Sequence, residues 1–184
     1  MKQNRTMIWI AAIIVVLAAL SRVAFYAQEF YFSPVIAMAL FSGAVIKDKK
    51  LAFFMPIVSM LLADILFEMS GIAKGFWGWG QVTGYGILAL ITVFGFYLKK
   101  INVLNVVGFS VASSLLFFFL SNSSVWLMDT SGYYAKNFSG YMDCLAAGIP
   151  FLKTGVVADL VYSALFFGGY AMFGKYADNK FVAS

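Results

Sequence analysis

The stretch 148–174, GIPFLKTGVVADLVYSALFFGGYAMFG, constrains the chain more than any other. As a helix rising about 1.5 Å per residue, residues 149–173 are long enough to cross a hydrocarbon core of roughly 30 Å. The charges within it are Lys153, near one end, and Asp159, about 15 Å in. A carboxylate at that depth is costly, so it faces protein or water and serves a purpose. The rest of the chain reads as a wall built around it.

Five further apolar runs precede this one, and composition says what surrounds them. Of 184 residues, 62% are hydrophobic and 11% are charged. A soluble domain carries nearer a quarter charged residues. So little charge cannot cover a water-soluble globule, and lipid is the expected solvent for most of the exterior. The net charge of +5 lies in short clusters between apolar runs, where membrane topology is set, and does not point to nucleic acid. There is no histidine and a single cysteine, Cys144, which excludes an internal disulfide, His-based proton relays and Ser/His or Cys/His triads. It also removes the usual His and Cys sets for zinc, haem or copper. No cofactor is expected, and Cys144 reads as structural.

The pattern predicts an all-α membrane protein, a six-helix transmembrane bundle in one domain, with spans at residues 7–27, 30–46, 51–69, 82–98, 103–120 and 149–173. The basic start, the short apolar run and the small residues at Ala18-Ala19-Leu20-Ser21 also fit a signal peptide. The expectation is a retained first span with Arg22 near its far end. Lys47-Asp48-Lys49-Lys50 is a tight polar hinge, 70–81 a glycine and tryptophan loop, and 121–148 a long outer segment.

With the N-terminus inside, Lys2, Arg5, Lys47, Lys49, Lys50, Lys99, Lys100, Lys175 and Lys180 fall on the inner side, nine in all. Arg22, Lys74, Lys136 and Lys153, four in all, fall on the outer side. This bias predicts both termini in the cytoplasm of a bacterial inner membrane. The acids Glu29, Asp64, Glu68, Asp129, Asp143 and Asp159 fall on or toward the outer side, against Asp48 and Asp178 inside. Pro56 precedes Asp64 much as Pro150 precedes Asp159, in helices of opposite direction, a weak trace of an inverted repeat.

Asp64 and Glu68 share a helix face, being four apart, and Asp159 descends from the same outer side. Three acids converging on an outward-open cavity would bind a cationic or polar ligand. Against this stand a water-interface position for Glu68, an Asp64 paired with Arg22, and a structural hydrogen bond for Asp159. Gly155, Tyr162, Ser163 and Phe166 share the Asp159 face and form either a pocket wall or a helix contact. Trp77, Trp79, Gln81 and Tyr85 follow Glu68. Asn122, Trp126, Asp129, Tyr133, Tyr134, Tyr141 and Asp143 lie in the outer segment. Aromatics at this depth ordinarily form an interfacial belt. The glycine alternation from Gly75 to Gly80 adds a bendable lid, and tryptophan faces suit an organic cation or a flat ring. The candidate binding set is therefore Asp64, Glu68, Trp77, Trp79, Gln81, Tyr85, Asn122, Trp126, Asp159 and Tyr162.

The six helices, the short second one with glycine at its end (Ser33-Pro34-Val35 to Gly43) and the basic first inner turn resemble the substrate-binding S component of energy-coupling factor (ECF) vitamin transporters. The segments SPVIAMALFSGAVIKDKKLAFFMPIVSMLLAD, FFFLSNSSVW and GIPFLKTGVVADLVYSALFFG are similar to a family of uncharacterised bacterial membrane proteins described only as vitamin-uptake relatives. This resemblance implies capture of a small vitamin-like molecule from outside and a partner membrane subunit or ATP-driven coupling module. One departure is that the first helix lacks the paired alanines, four apart, on which many S components dock: Val15, Val16, Arg22 and Val23 follow Ala11, Ala12, Ala18 and Ala19. No phosphate-binding Gly-x-x-x-x-Gly-Lys-Ser/Thr loop is present, so any ATP use comes from another chain. The competing expectation is a scaffold subunit of an envelope complex. An intramembrane aspartyl protease is disfavoured, because Leu62-Ala63 and Val157-Ala158 stand where a Gly-x-Gly signature would precede the acids.

Overall fold

The computed structural model describes residues 2–26 and 32–182, with side chains at 13–26 and 32–172. Six helices follow in order: α1 (Lys2–Tyr26), α2 (Val35–Val45), α3 (Lys49–Ser70), α4 (Trp79–Gly95), α5 (Val103–Met128) and α6 (Phe138–Val182). Glu29 and the expected span ends at Ala27 and Phe30 lie outside the described residues. Among the residues whose side chains are described, three helices are long and apolar enough to cross a membrane: α3, α5 and the Phe138–Met172 part of α6. The apolar stretches Ile13–Tyr26, Val35–Val45 and Trp79–Gly95 are shorter. At 11 residues α2 reaches about 16 Å, half of a hydrocarbon core.

Local chemistry explains the boundaries. Asp48 caps α3, its carboxylate accepting from the backbone N–H of Lys50 (2.9 Å) and Leu51 (3.2 Å). Gly71 closes the same helix at φ 67°, a conformation open to glycine, and donates its N–H to the Phe67 carbonyl. Asn102 caps α5 through the Asn105 N–H, and Asn137 accepts from the Gly140 N–H in the first turn of α6.

The expected outer segment 121–148 is mostly helical. Helix α5 runs on to Met128 and α6 begins at Phe138, leaving only 129–137 between them. The polar run Ser121-Asn122-Ser123-Ser124 looks like a break, yet two of these side chains turn back onto the helix. Ser121 Oγ and Asn122 Nδ2 both donate to the Phe118 carbonyl, at 3.3 and 2.8 Å. Beyond it, Lys136 Nζ donates to the carbonyls of Trp126 and Leu127 at the end of α5.

Helix α2 is the hub, in contact with α3, α4, α5 and α6. Ala37, Ala39, Ser42 and Gly43 are all buried, so neighbouring backbones come close. A Cβ on Gly43 would stand 2.1 Å from the Thr92 carbonyl oxygen, and one on Gly95 would stand 2.5 Å from that of Leu40. Around this crossing Leu40, Ile87, Leu88, Ile91, Met60 and Phe167 form the main apolar core. Val15, Ala18, Met38 and Met55 seal α1 against α2 and α3.

Pro56 sits inside α3 without breaking it. Having no N–H, it leaves the carbonyl of Ala52, four residues back, without its helical donor. Ser42 of α2 fills the gap, its Oγ donating to Ala52 O at 2.8 Å, both residues fully buried. Ser59 ties α3 to α1 in the same manner through the Val15 carbonyl, at 3.3 Å.

Two outcomes are expected for the hub. Gly43→Ala forces α2 and α4 apart and lowers stability by roughly 1–3 kcal/mol or more. Ser42→Ala strands the Ala52 carbonyl at a cost of about 1–3 kcal/mol, and the loss shrinks when Pro56→Ala restores the helical donor. Thermal unfolding in detergent micelles measures both.

Candidate functional site

A helix shorter than each of its neighbours leaves part of its column unfilled. The first cavity, about 510 Å³, lies over the N-terminal end of α2, where Ser33, Val35 and Ile36 line it. Its other walls are mainly apolar: Met60, Leu88, Phe117, Phe118, Val125, Phe151 and Leu152. Its polar groups come from Arg22, Ser114, Ser121, Asn122, Tyr134 and Asp159. A second cavity of about 500 Å³ adjoins it toward the 71–78 and 129–137 loops. Arg22, Met60, Phe117, Ser121, Val125 and Tyr134 line both.

Asp159 is 1% exposed. Ser114 of α5 donates to its Oδ2 at 2.6 Å, and the backbone N–H of Ala37 in the first turn of α2 faces the same carboxyl. Helix α2 has no side-chain cap of its own, so an acid from α6 stands at its N-terminus. One turn along, Ser110 Oγ donates to Ser163 Oγ at 2.8 Å, and the two bonds join α5 to α6. These serines are legible only afterwards, as small polar residues three and four apart (Ser110, Ser113, Ser114) within an apolar helix.

Asp64, also 1% exposed, is enclosed by donors. Arg22 Nη1 meets Oδ1 at 3.1 Å, while Gln81 Nε2 at 2.7 Å and the Tyr85 hydroxyl at 2.8 Å meet Oδ2. Gln81 also donates to the Gly75 carbonyl at 3.1 Å. Four of the expected residues thus play two distinct parts: Asp64, Gln81 and Tyr85 form a network behind Arg22, and Glu68 is exposed, holding the Gly75 N–H at 2.9 Å. The three acids do not converge on one hollow. Asp159 alone of them lines a described cavity, because donors from α1 and α4 already surround Asp64 and the last turn of α3 turns Glu68 outward.

The aromatics divide similarly. Trp77 lines the second cavity, whereas Trp79, at the first turn of α4, is 78% exposed and lines neither. Trp126 lies outside both cavities and lines a separate one of about 450 Å³ with Phe138 and Tyr141, its Nε1 donating to the Ala135 carbonyl at 2.9 Å and its ring tilted against Tyr141. Asn122 lines the first cavity and accepts a thiol contact from Cys144 on its backbone carbonyl at 3.4 Å. Tyr162 turns toward α1, its hydroxyl 3.4 Å from Ser21 Oγ, and packs on Phe32 and Phe166. Of the face expected around Asp159, Gly155 lines the first cavity. The glycine loop is pinned rather than free: a Cβ on Gly75 would stand 2.0 Å from the Asp64 carbonyl oxygen.

Asp129, at the rim of the second cavity, is held below the usual carboxylate range by the Ser131 hydroxyl first and then the Tyr134 N–H. Arg22 is the residue that sequence reading undervalued. It is cast there as a helix end and a partner for Asp64, but its side chain, 23% exposed, reaches both cavities and lies 5.4 Å from the Phe67 ring. Among the described residues, no group of three or more His, Cys, Asp or Glu is placed to hold a metal ion.

Arg22→Gln leaves a buried carboxylate without its counter-charge and is expected to cost roughly 3 kcal/mol. Tyr85→Phe removes one of the other donors and costs about 1 kcal/mol. The double variant Arg22→Gln/Asp64→Asn recovers most of the first loss. Unfolding of these three, Asp64→Asn and the wild type in one detergent gives the comparison, and an additive double variant would show that the pair is not coupled.

No curated protein and no solved structure matches the chain. A family model does match, over residues 2–181, and it carries no link to ECF S components. With nearly its whole length covered, the chain belongs to the family of unknown function DUF6580.

Proposed function

We propose that this protein is a membrane-embedded binding subunit that takes up a small vitamin-like molecule from the side of the 71–78 and 129–137 loops. The observation that supports it is the pair of adjoining cavities over α2. Each falls in the range of about 300–1,000 Å³ typical of small-molecule sites, with mostly apolar walls and few polar groups. In this reading Phe117, Phe118 and Phe151 supply contact area, while Asn122, Ser114 and Asp159 orient the molecule. Asp64, Gln81 and Tyr85 hold Arg22 in place.

The lysine and arginine bias puts both termini in the cytoplasm, so the loop side faces outward. Release to the inside then requires a partner membrane subunit, such as an ATP-driven coupling module of the ECF kind, or rocking of the bundle itself. A scaffold subunit of an envelope complex would have no use for the hollow, and that difference makes the readings separable.

Gly155 offers the test. It lines the first cavity, and a Cβ built on it meets nothing within 4 Å. Gly155→Leu is therefore expected to fold at least as well as the wild type, gaining up to about 1 kcal/mol of helix propensity, while filling the cavity. Small molecules retained through gentle purification, identified by mass spectrometry, should be present in the wild type and absent from the variant. Equal retention in both, or an empty wild type, counts against uptake and for the scaffold.

A further inference from the structure

We propose that the bound molecule is an anion, a compact ring system bearing a carboxylate, and that Arg22 is its counter-charge. The inference rests on the binding reading above and reverses the charge that the acid-rich sequence suggests. Each acid near the cleft is already engaged by donors from the protein. Asp64 is met on both oxygens by Arg22, Gln81 and Tyr85. Asp159 is met by Ser114, and Asp129 by Ser131 and the Tyr134 N–H. Glu68 lines neither cavity and holds Gly75. A cation entering here would find carboxylates that already hold donors from the protein.

Arg22 is placed otherwise. It stands at the partition, the only basic residue lining either cavity among the described residues. Its contact with Asp64 runs through Nη1, and a guanidinium carries five N–H donors in a planar fork. The ion pair holds that fork through one nitrogen, Nη1, and the fork matches a carboxylate better than any other side chain does. The mainly apolar walls lower the local dielectric and strengthen the attraction. Tyr134 also lines both cavities and brings a hydroxyl to the same partition. Two adjoining hollows of about 500 Å³ each have room for a compact ring.

Three probes sharing one ring separate the charges: indole-3-acetate, indole-3-acetamide and tryptamine, titrated against the full-length protein in lipid nanodiscs. The acetate is expected to bind roughly tenfold or more tighter than the other two, the scale of a charge-assisted hydrogen bond. Because Arg22→Gln alone strands a buried acid, Arg22→Gln/Asp64→Asn carries the test, and in it the preference for the acetate disappears. Tightest binding by tryptamine, or a preference that survives the double variant, overturns the assignment. Equal binding of all three removes the counter-charge and leaves the binding reading standing. Failure of all three at millimolar concentration removes both.

Discussion

A carboxylate sealed from water inside an apolar bundle must be answered by other groups, and much of this architecture follows from answering Asp64. Its donors arrive from α1 and α4 while it belongs to α3, so one acid sets the relative height of three helices. Gln81 spends a second contact on the Gly75 carbonyl, which draws the loop between α3 and α4 down onto the same spot. The ion pair by itself would be a doubtful source of stability, since desolvation offsets much of its attraction. Its clearer effect is on geometry: other arrangements of these helices leave the charge unpaired, at a cost of several kcal/mol.

The second constraint is the shortness of α2. Its small residues let it lie close against α4 while its eleven-residue length leaves the loop-side half of its column open. Packing and void thus come from the same segment. Asp159 reaches across from α6 to the first turn of this helix, where backbone N–H groups have no partner in their own chain segment. The acid that marks the cavity also finishes the hub.

The helices themselves were legible, because the long apolar runs are punctuated by Lys47-Asp48-Lys49-Lys50 and by the glycine-rich 70–81 stretch. The end of α5 was not, because serine and asparagine read as a break from sequence and yet satisfy themselves on the preceding turn. The pairing of Asp64 with Arg22 was one of two readings open from sequence, and depth alone could not choose between them. The separation of Asp64 from Asp159 and Glu68 needed coordinates, since it depends on which donors crowd each acid. Trp79 and Trp126 look alike in sequence to Trp77, and only the coordinates place the first two away from the adjoining pair of cavities.

Pro56 and Ser42 form a pair whose logic extends past this one chain. The ring at position 56 removes a donor, and a hydroxyl on another helix supplies it at a place where water cannot. Without the proline the serine falls back on the Ala39 carbonyl of its own helix, 3.1 Å away, and without the serine the proline is a liability. Drift at one site relaxes or forbids drift at the other, so the two should be inherited as a unit, exchanged together or kept together, across the membrane proteins built on this plan.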